Sequence, residues 1–317
     1  MKNALDDLLG KVNAIAKSPR GDLLRQVVEL MYERLEAELD TVPIDGHQNP
    51  VNFKDLFFKM EATLRKESSL SEENFEKSWG LFKTCNYKSD DDYEIYWKLV
   101  KVVFYSGMNA GVVTSKLPIL KKYFYDYRKV NNYHREEINK IIEDQNIIRN
   151  KAKIEACVNN AKIFNDILIE YGTFANYLES FGNLNNENTL EILKKDLKRF
   201  KFLGPITAYH FMLDLGLKVW KPDRVIRRII KRLGLINNSE DIGQAITVGR
   251  EIADQVGLPI RYIDVVFVKY GQIGEDKDFG LTTGICLEKN PRCSICGIKN
   301  YCNYKNLYGH LLPKTEN

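Results

Sequence analysis

No stretch of this sequence is long and apolar enough to cross a bilayer, and its start, MKNALDDLLGKV, has no signal-peptide core. These absences lead to the expectation of a cytoplasmic protein. Excess charge is small, 47 Lys and Arg against 43 Asp and Glu, so a nucleic-acid footprint has to be a local patch. Six cysteines in 317 residues are too few for a disulfide scaffold. Strand signals are nearly missing, and no internal repeat or low-complexity tract interrupts the chain. What remains is an ordinary globular composition, 44% apolar and 28% charged, in a chain long enough for two domains.

Helical spacing fills the gap left by strands. Leu24, Val27, Met31, Leu35 and Leu39 keep a helical face within residues 1–75, the least informative part of the chain. The turn-rich run TVPIDGHQNPV breaks that face, and its His47 has no partner at ligand spacing. From Asp92 the pattern becomes denser. Trp97, Val100, Val103 and Phe104 form one face, and Leu117, Leu120 and Phe124 a second. Ile154, Val158, Ala161, Phe164 and Leu168 form a longer one, and Leu190, Leu193 and Leu197 lead into a turn at Leu203-Gly204-Pro205. Beyond it, Val225, Ile229 and Leu233, then Ile242, Ile246 and Ile252, then residues 263–270 predict three more helices. The fold class read from this is all-α.

The turn at 203–205 carries the first chemical signal. Pro205 suits the first position of a helix, where its missing N–H costs nothing, and Gly216 is placed to end that helix. From Arg199 to Arg232 there are nine Lys or Arg against two acids, Asp214 and Asp223. A hairpin with unpaired amides among cations is suited to phosphate, which singles out Lys201, Leu203, Gly204, Ile206, Thr207 and Arg228. Asp223 is an acid set inside that basic field; read alone, it is equally a helix N-cap.

Four of the six cysteines crowd into the last part of the chain. Cys286, Cys293, Cys296 and Cys302 stand as C-x6-C-x2-C-x5-C, and soft sulfur ligands select zinc or an iron–sulfur cluster. Cys85 and Cys157 are isolated and read as buried thiols.

Hairpin, aspartate and cysteine loop stand in the order of the helix-hairpin-helix DNA glycosylase superfamily, which they resemble. YSGMNAGVV, IIRNKAKIEACVNNAKIF and FKFLGPITAYHFMLDLGL look like successive segments of 3-methyladenine DNA glycosylase I, over Trp97 to Leu217. The chain departs from that branch at Ser106, where its base-reading glutamate falls, and in lacking its zinc-binding Cys/His set. It also runs on past the point where that branch ends. Asp223 follows Ile206 by 17 residues, about one short of the interval usual in that superfamily, and Arg228 follows five later, which resembles endonuclease III. The cysteine spacing, with LEKNPR between the first two, resembles the 4Fe–4S loop of the same enzyme.

The resemblance implies a six-helix barrel with the hairpin over residues 95–220. A second helical domain, 221–317, would carry the catalytic aspartate and a 4Fe–4S cluster, with an N-terminal helical region, 1–94, packed against it. It implies a monomeric, nucleoid-associated DNA glycosylase of base excision repair, acting on double-stranded DNA with a damaged or mismatched base. Asp223 would face an oxocarbenium-like sugar. Asn109, with Met108 second, would fill the space left by the flipped nucleotide, although a loop-capping role fits Asn109 equally. Trp220, Tyr105 and Ser106 would line the base pocket. Ile206 stands where endonuclease III has its Schiff-base lysine, which implies a monofunctional enzyme. The alternatives are a bifunctional glycosylase/lyase using Lys218 or Lys221, or a non-catalytic DNA-binding relative.

Overall fold

The computed structural model describes residues 51–303, and within them the chain forms thirteen α-helices and no strand. The expectations placed on residues 1–50, the Leu24 to Leu39 face and His47, lie outside the described residues. Short polar side chains set the helix starts. Asn52 caps α1 (Phe53–Glu67), Ser71 caps α2 (Glu72–Gly80), and Asp91 caps α3 (Asp92–Tyr105), each accepting from an N–H in the first turn. Asn109 does the same for α4 (Ala110–Phe124). After α5 (Tyr127–Asn131) and α6 (Arg135–Glu143), Asn150 starts the long α7 (Lys151–Tyr171). α8 (Phe174–Ser180) and α9 (Glu187–Leu197) follow and lead into the hairpin.

α10 (Thr207–Asp214) ends where Gly216 turns left-handed at φ +81°. A Cβ there would meet the Cys85 carbonyl oxygen at 2.3 Å, so glycine serves both the turn and a close backbone approach. Asp223 caps α11 (Arg224–Arg232), and α12 (Ile242–Val256) and α13 (Ile260–Gly271) complete the set.

The buried apolar residues form one continuous core from Phe53 to Ile298. α3 is its axis on one side: it packs against α4, α7 and α10, with Leu99, Val102, Val103 and Phe104 fully buried. α13 is the axis on the other side, in contact with α1, α11, α12 and α10. α10 touches both, so it joins the two halves and its polar face lies between them. The first described helix meets α13 and the cysteine loop. Glu61 of α1 accepts from the Tyr262 hydroxyl at 2.8 Å, and Glu67 pairs with Arg292 at 2.6 Å. Among the described residues no helix is long and apolar enough to cross a membrane.

Candidate active site

The hairpin is built from its own residues. Phe202 is held at φ +67°, a rare conformation for a bulky side chain. The Thr207 hydroxyl donates to the Phe202 carbonyl at 2.6 Å and accepts the Gly204 N–H at 2.6 Å, closing the loop. Asn160, buried on α7, pairs with both the N–H and the carbonyl of Lys201 at 2.7 and 3.0 Å. Lys153, also buried on α7, sits over the Phe202 ring and donates to the carbonyls of Val103, Phe104 and Ser106. One ammonium thus satisfies the C-terminal end of α3 and seats the hairpin beside it. Helical bonding already starts at the Gly204 carbonyl, so Pro205 loses no hydrogen bond, although α10 proper begins two residues later. The N–H groups of Ile206 and Thr207 have no partner among the described residues and remain available to an anion.

Leu203 is buried and packs the hairpin down, whereas Lys201 is exposed. The basic field is smaller than the sequence suggests. Arg228 is turned inward, donating to the Gly271 carbonyl at 2.7 Å and that of Cys286 at 3.1 Å. Arg227 binds the Ser239 carbonyl and Glu240, and Lys218 pairs with Asp254. Lys201 and Arg224 are exposed and without an ion pair among the described residues.

Asp223 stays partly open, 22% exposed at its side chain. One carboxylate oxygen caps α11 by accepting the Ile226 N–H at 3.0 Å, and the other lies 3.4 Å from the Lys221 ammonium. Behind this pair is a buried polar cluster that the sequence reading missed. Arg261 of α13 lies between two carboxylates, 2.9 Å from Asp214 of α10 and 2.9 Å from Asp264. Burial is the largest influence on the Asp214 carboxyl and would raise it, but the Arg261 guanidinium together with Lys101 and Lys98 holds the group below its usual range. Asp264, with one oxygen buried and unpartnered, is pushed by burial up to about 7. His210 sits one turn before Asp214, its Nε2 3.6 Å from that carboxylate and its ring 6.3 Å from Tyr105. Burial and the nearby Lys221 charge bring the imidazole down to about 3, so it is neutral. The only signal of this cluster in the sequence was four unexplained polar residues on α10 and α13, His210, Asp214, Arg261 and Asp264.

The remaining site candidates separate. Tyr105 is half-buried and donates to or accepts from Thr114 at 2.9 Å, and Ser106 ends α3 with its carbonyl on Lys153. Asn109 is an N-cap, accepting from Val112 at 3.2 Å. Trp220 is completely buried: a Cβ on Gly249 would meet its ring at 2.0 Å, and Phe267 packs edge-on at 5.0 Å. It is a core residue with no face toward a pocket.

Residues 65–221 match the family model described as methyladenine glycosylase. This match and the relatives below support the helix-hairpin-helix DNA glycosylase superfamily. It is 28% identical over 144 residues to DNA-3-methyladenine glycosylase 1 of Escherichia coli K12, covering 38% of this chain and 76% of that one. It is 27% identical over 175 residues to the DNA-3-methyladenine glycosylase of Haemophilus influenzae Rd, covering 48% and 88%. Among solved structures it is similar to the 8-oxoguanine DNA glycosylase of Thermotoga maritima, at 16% identity, TM-score 0.44, 68% of this chain and 95% of that one.

The expected 4Fe–4S cluster is overturned. The 3-methyladenine DNA glycosylase I relatives carry no such cluster, and the family match stops 65 residues before the first cysteine of the loop. Among the described residues no group of three or more His, Cys, Asp or Glu is placed to hold a metal ion. The sulfurs are instead engaged with the protein. Cys286 accepts from Arg232 at 3.4 Å, Cys296 lies 3.2 Å from the Tyr270 hydroxyl, and Cys302 donates to the Arg232 carbonyl at 3.6 Å. The loop is pinned by these contacts and by the Ile285 and Cys286 N–H groups, which share the Tyr270 carbonyl at 2.7 Å. Of the two isolated cysteines, Cys157 is buried, with its thiol pushed up by burial, and Cys85 is half-buried.

Proposed function

We propose that the protein is a monofunctional DNA glycosylase of base excision repair that hydrolyses the N-glycosidic bond of a damaged purine in double-stranded DNA. The observation that carries this reading is a partly open carboxylate, Asp223, in a chain whose α10 starts with two unpaired amides open to an anion. The curated relatives are named for 3-methyladenine, and an alkylated adenine is the substrate class to test first.

The reading uses each part once. The six-helix barrel over 95–220 presents the hairpin, whose Ile206 and Thr207 amides and Lys201 hold backbone phosphate. The target nucleotide leaves the stack, at a cost of a few kcal/mol. The C1′–N bond then breaks with its electron pair going to the base. Alkylation helps here, because a cationic base departs neutral. The sugar becomes oxocarbenium-like, and the free oxygen of Asp223 stabilises that charge. Water adds at C1′ and its proton passes to Asp223 or to solvent, leaving an abasic strand. Ile206 has no amine, and Lys221 is held against Asp223, which fits water as the nucleophile. The enzyme would work as a cytoplasmic, nucleoid-associated monomer.

A panel of duplexes with single defined lesions, scored for base release with and without alkali, tests the reading. Strand scission only after alkali, on at least one lesion, is the expected result. No release from any duplex would end it.

A further inference from the structure

The cluster behind Asp223 contains polar groups that the proposed chemistry does not use. Most are already committed. The Ser106 carbonyl holds Lys153, the Tyr105 hydroxyl is bonded to Thr114, Asp214 is held by Arg261, and Lys221 pairs with Asp223. His210 is different. Neither ring nitrogen has a hydrogen-bond partner among the described residues, since the Asp214 oxygen at 3.6 Å is too far for a direct bond. Its donor and its acceptor are therefore open to water or to a ligand. The side chain is still 14% exposed, so a ligand can reach it.

Its surroundings define the ligand. The half-buried Tyr105 ring lies beside it, α10 places it between α3 and α13, and it feels the charge of Lys221, the partner of Asp223. Asp214, itself fixed by Arg261, lies 3.6 Å from Nε2. A neutral imidazole has one donor and one acceptor, and a neighbouring aromatic ring suits a planar, uncharged partner. We infer that His210 is a specificity residue, hydrogen-bonding the edge of an extruded purine. This rests on the glycosylase reading of the site. His210 is not a catalytic residue in this scheme, because Asp223 faces the sugar.

The ring resonances of the four histidines offer a readout that needs no turnover. Free 3-methyladenine, 7-methylguanine and hypoxanthine would be titrated into the full chain and the His210 signals followed by NMR. At least one base should move them, and His210→Ala should weaken that base's binding about tenfold, with His210→Gln restoring part of it. On duplexes, His210→Ala should lower kcat/KM about 10- to 100-fold for the matching lesion and much less for others. The inference is overturned if no base moves the His210 signals, or if the variant loses activity equally on every lesion. A shift of His210 by a free base without release from any duplex would instead sink the glycosylase reading and leave the pocket standing. Base release with His210 silent would do the reverse.

Discussion

The hairpin after α9 and the cysteine loop after α13 have equally sharp spacing in the sequence, but they are held differently. In the hairpin, Gly204, Thr207 and Phe202 bond to one another within five residues. The spacing itself therefore encodes the geometry, and α7 only adds Asn160 and Lys153 as supports. In the loop, Cys286 and Cys302 meet Arg232, and Cys296 meets Tyr270. Those partners lie 26 to 70 residues away and form no part of the motif. A spacing is a reliable guide when its residues are each other's partners. It misleads when the partners are elsewhere, as the overturned cluster assignment did.

The same contrast separates two kinds of cation, and substitutions can sharpen or break it. The largest effect is expected at the cleft edge between the two regions. Asp223→Asn keeps the cap shape but removes the charge proposed to face the sugar, which should cost base release roughly 3–4 kcal/mol, about 10²- to 10³-fold. Near-normal turnover of that variant would show that Asp223 is only a helix cap.

Lys153→Met tests the supports of the hairpin. It leaves the carbonyls of Val103, Phe104 and Ser106 without their donor, so stability should fall by about 2–3 kcal/mol. The amide signals of residues 199–207 should broaden as well. Unchanged denaturant melting would mean that the hairpin stands without its lysine.

Arg228→Leu should behave as a core substitution. With its carbonyl partners on Gly271 and Cys286 left bare, a loss of about 1–3 kcal/mol is expected. The slope of DNA affinity against salt should not change. If the slope flattens, Arg228 meets phosphate after all.

His210 gives a pH-dependent test on the side of α10. Its folded pKa lies below the ordinary value of 6.5, so its contribution is complete above pH 6.5 and is lost as pH falls toward about 3. His210→Leu should remove that part of the acid sensitivity, narrowing the stability drop between pH 7.5 and 5 by up to about 2 kcal/mol. Parallel curves for the two proteins would mean that the imidazole is charged or solvated in the fold.

The smallest effect belongs to the exposed member of the basic run. Lys201→Ala should leave melting unchanged, weaken binding to every duplex a few-fold, and reduce the salt slope by about 1. Selectivity for a single lesion would contradict a phosphate role.

The sequence alone determined the helices, because apolar periodicity and short polar caps act over one or two turns. Asn109, Asn150 and Asp223 could be placed ahead of their helices from neighbouring residues only. It also determined the hairpin and the position of Asp223. Tertiary structure decided which charges face solvent. Arg228 and Lys201 look alike in the chain, but the first is used on carbonyls of α13 and the cysteine loop, and the second is exposed. It decided that Trp220 is core, since only the packing of α12 brings Gly249 against its ring. It also assembled His210, Asp214, Arg261 and Asp264 from two helices 46 residues apart. Burial and charge pairing depend on what lies across the core. A residue's neighbours in sequence contain no record of that.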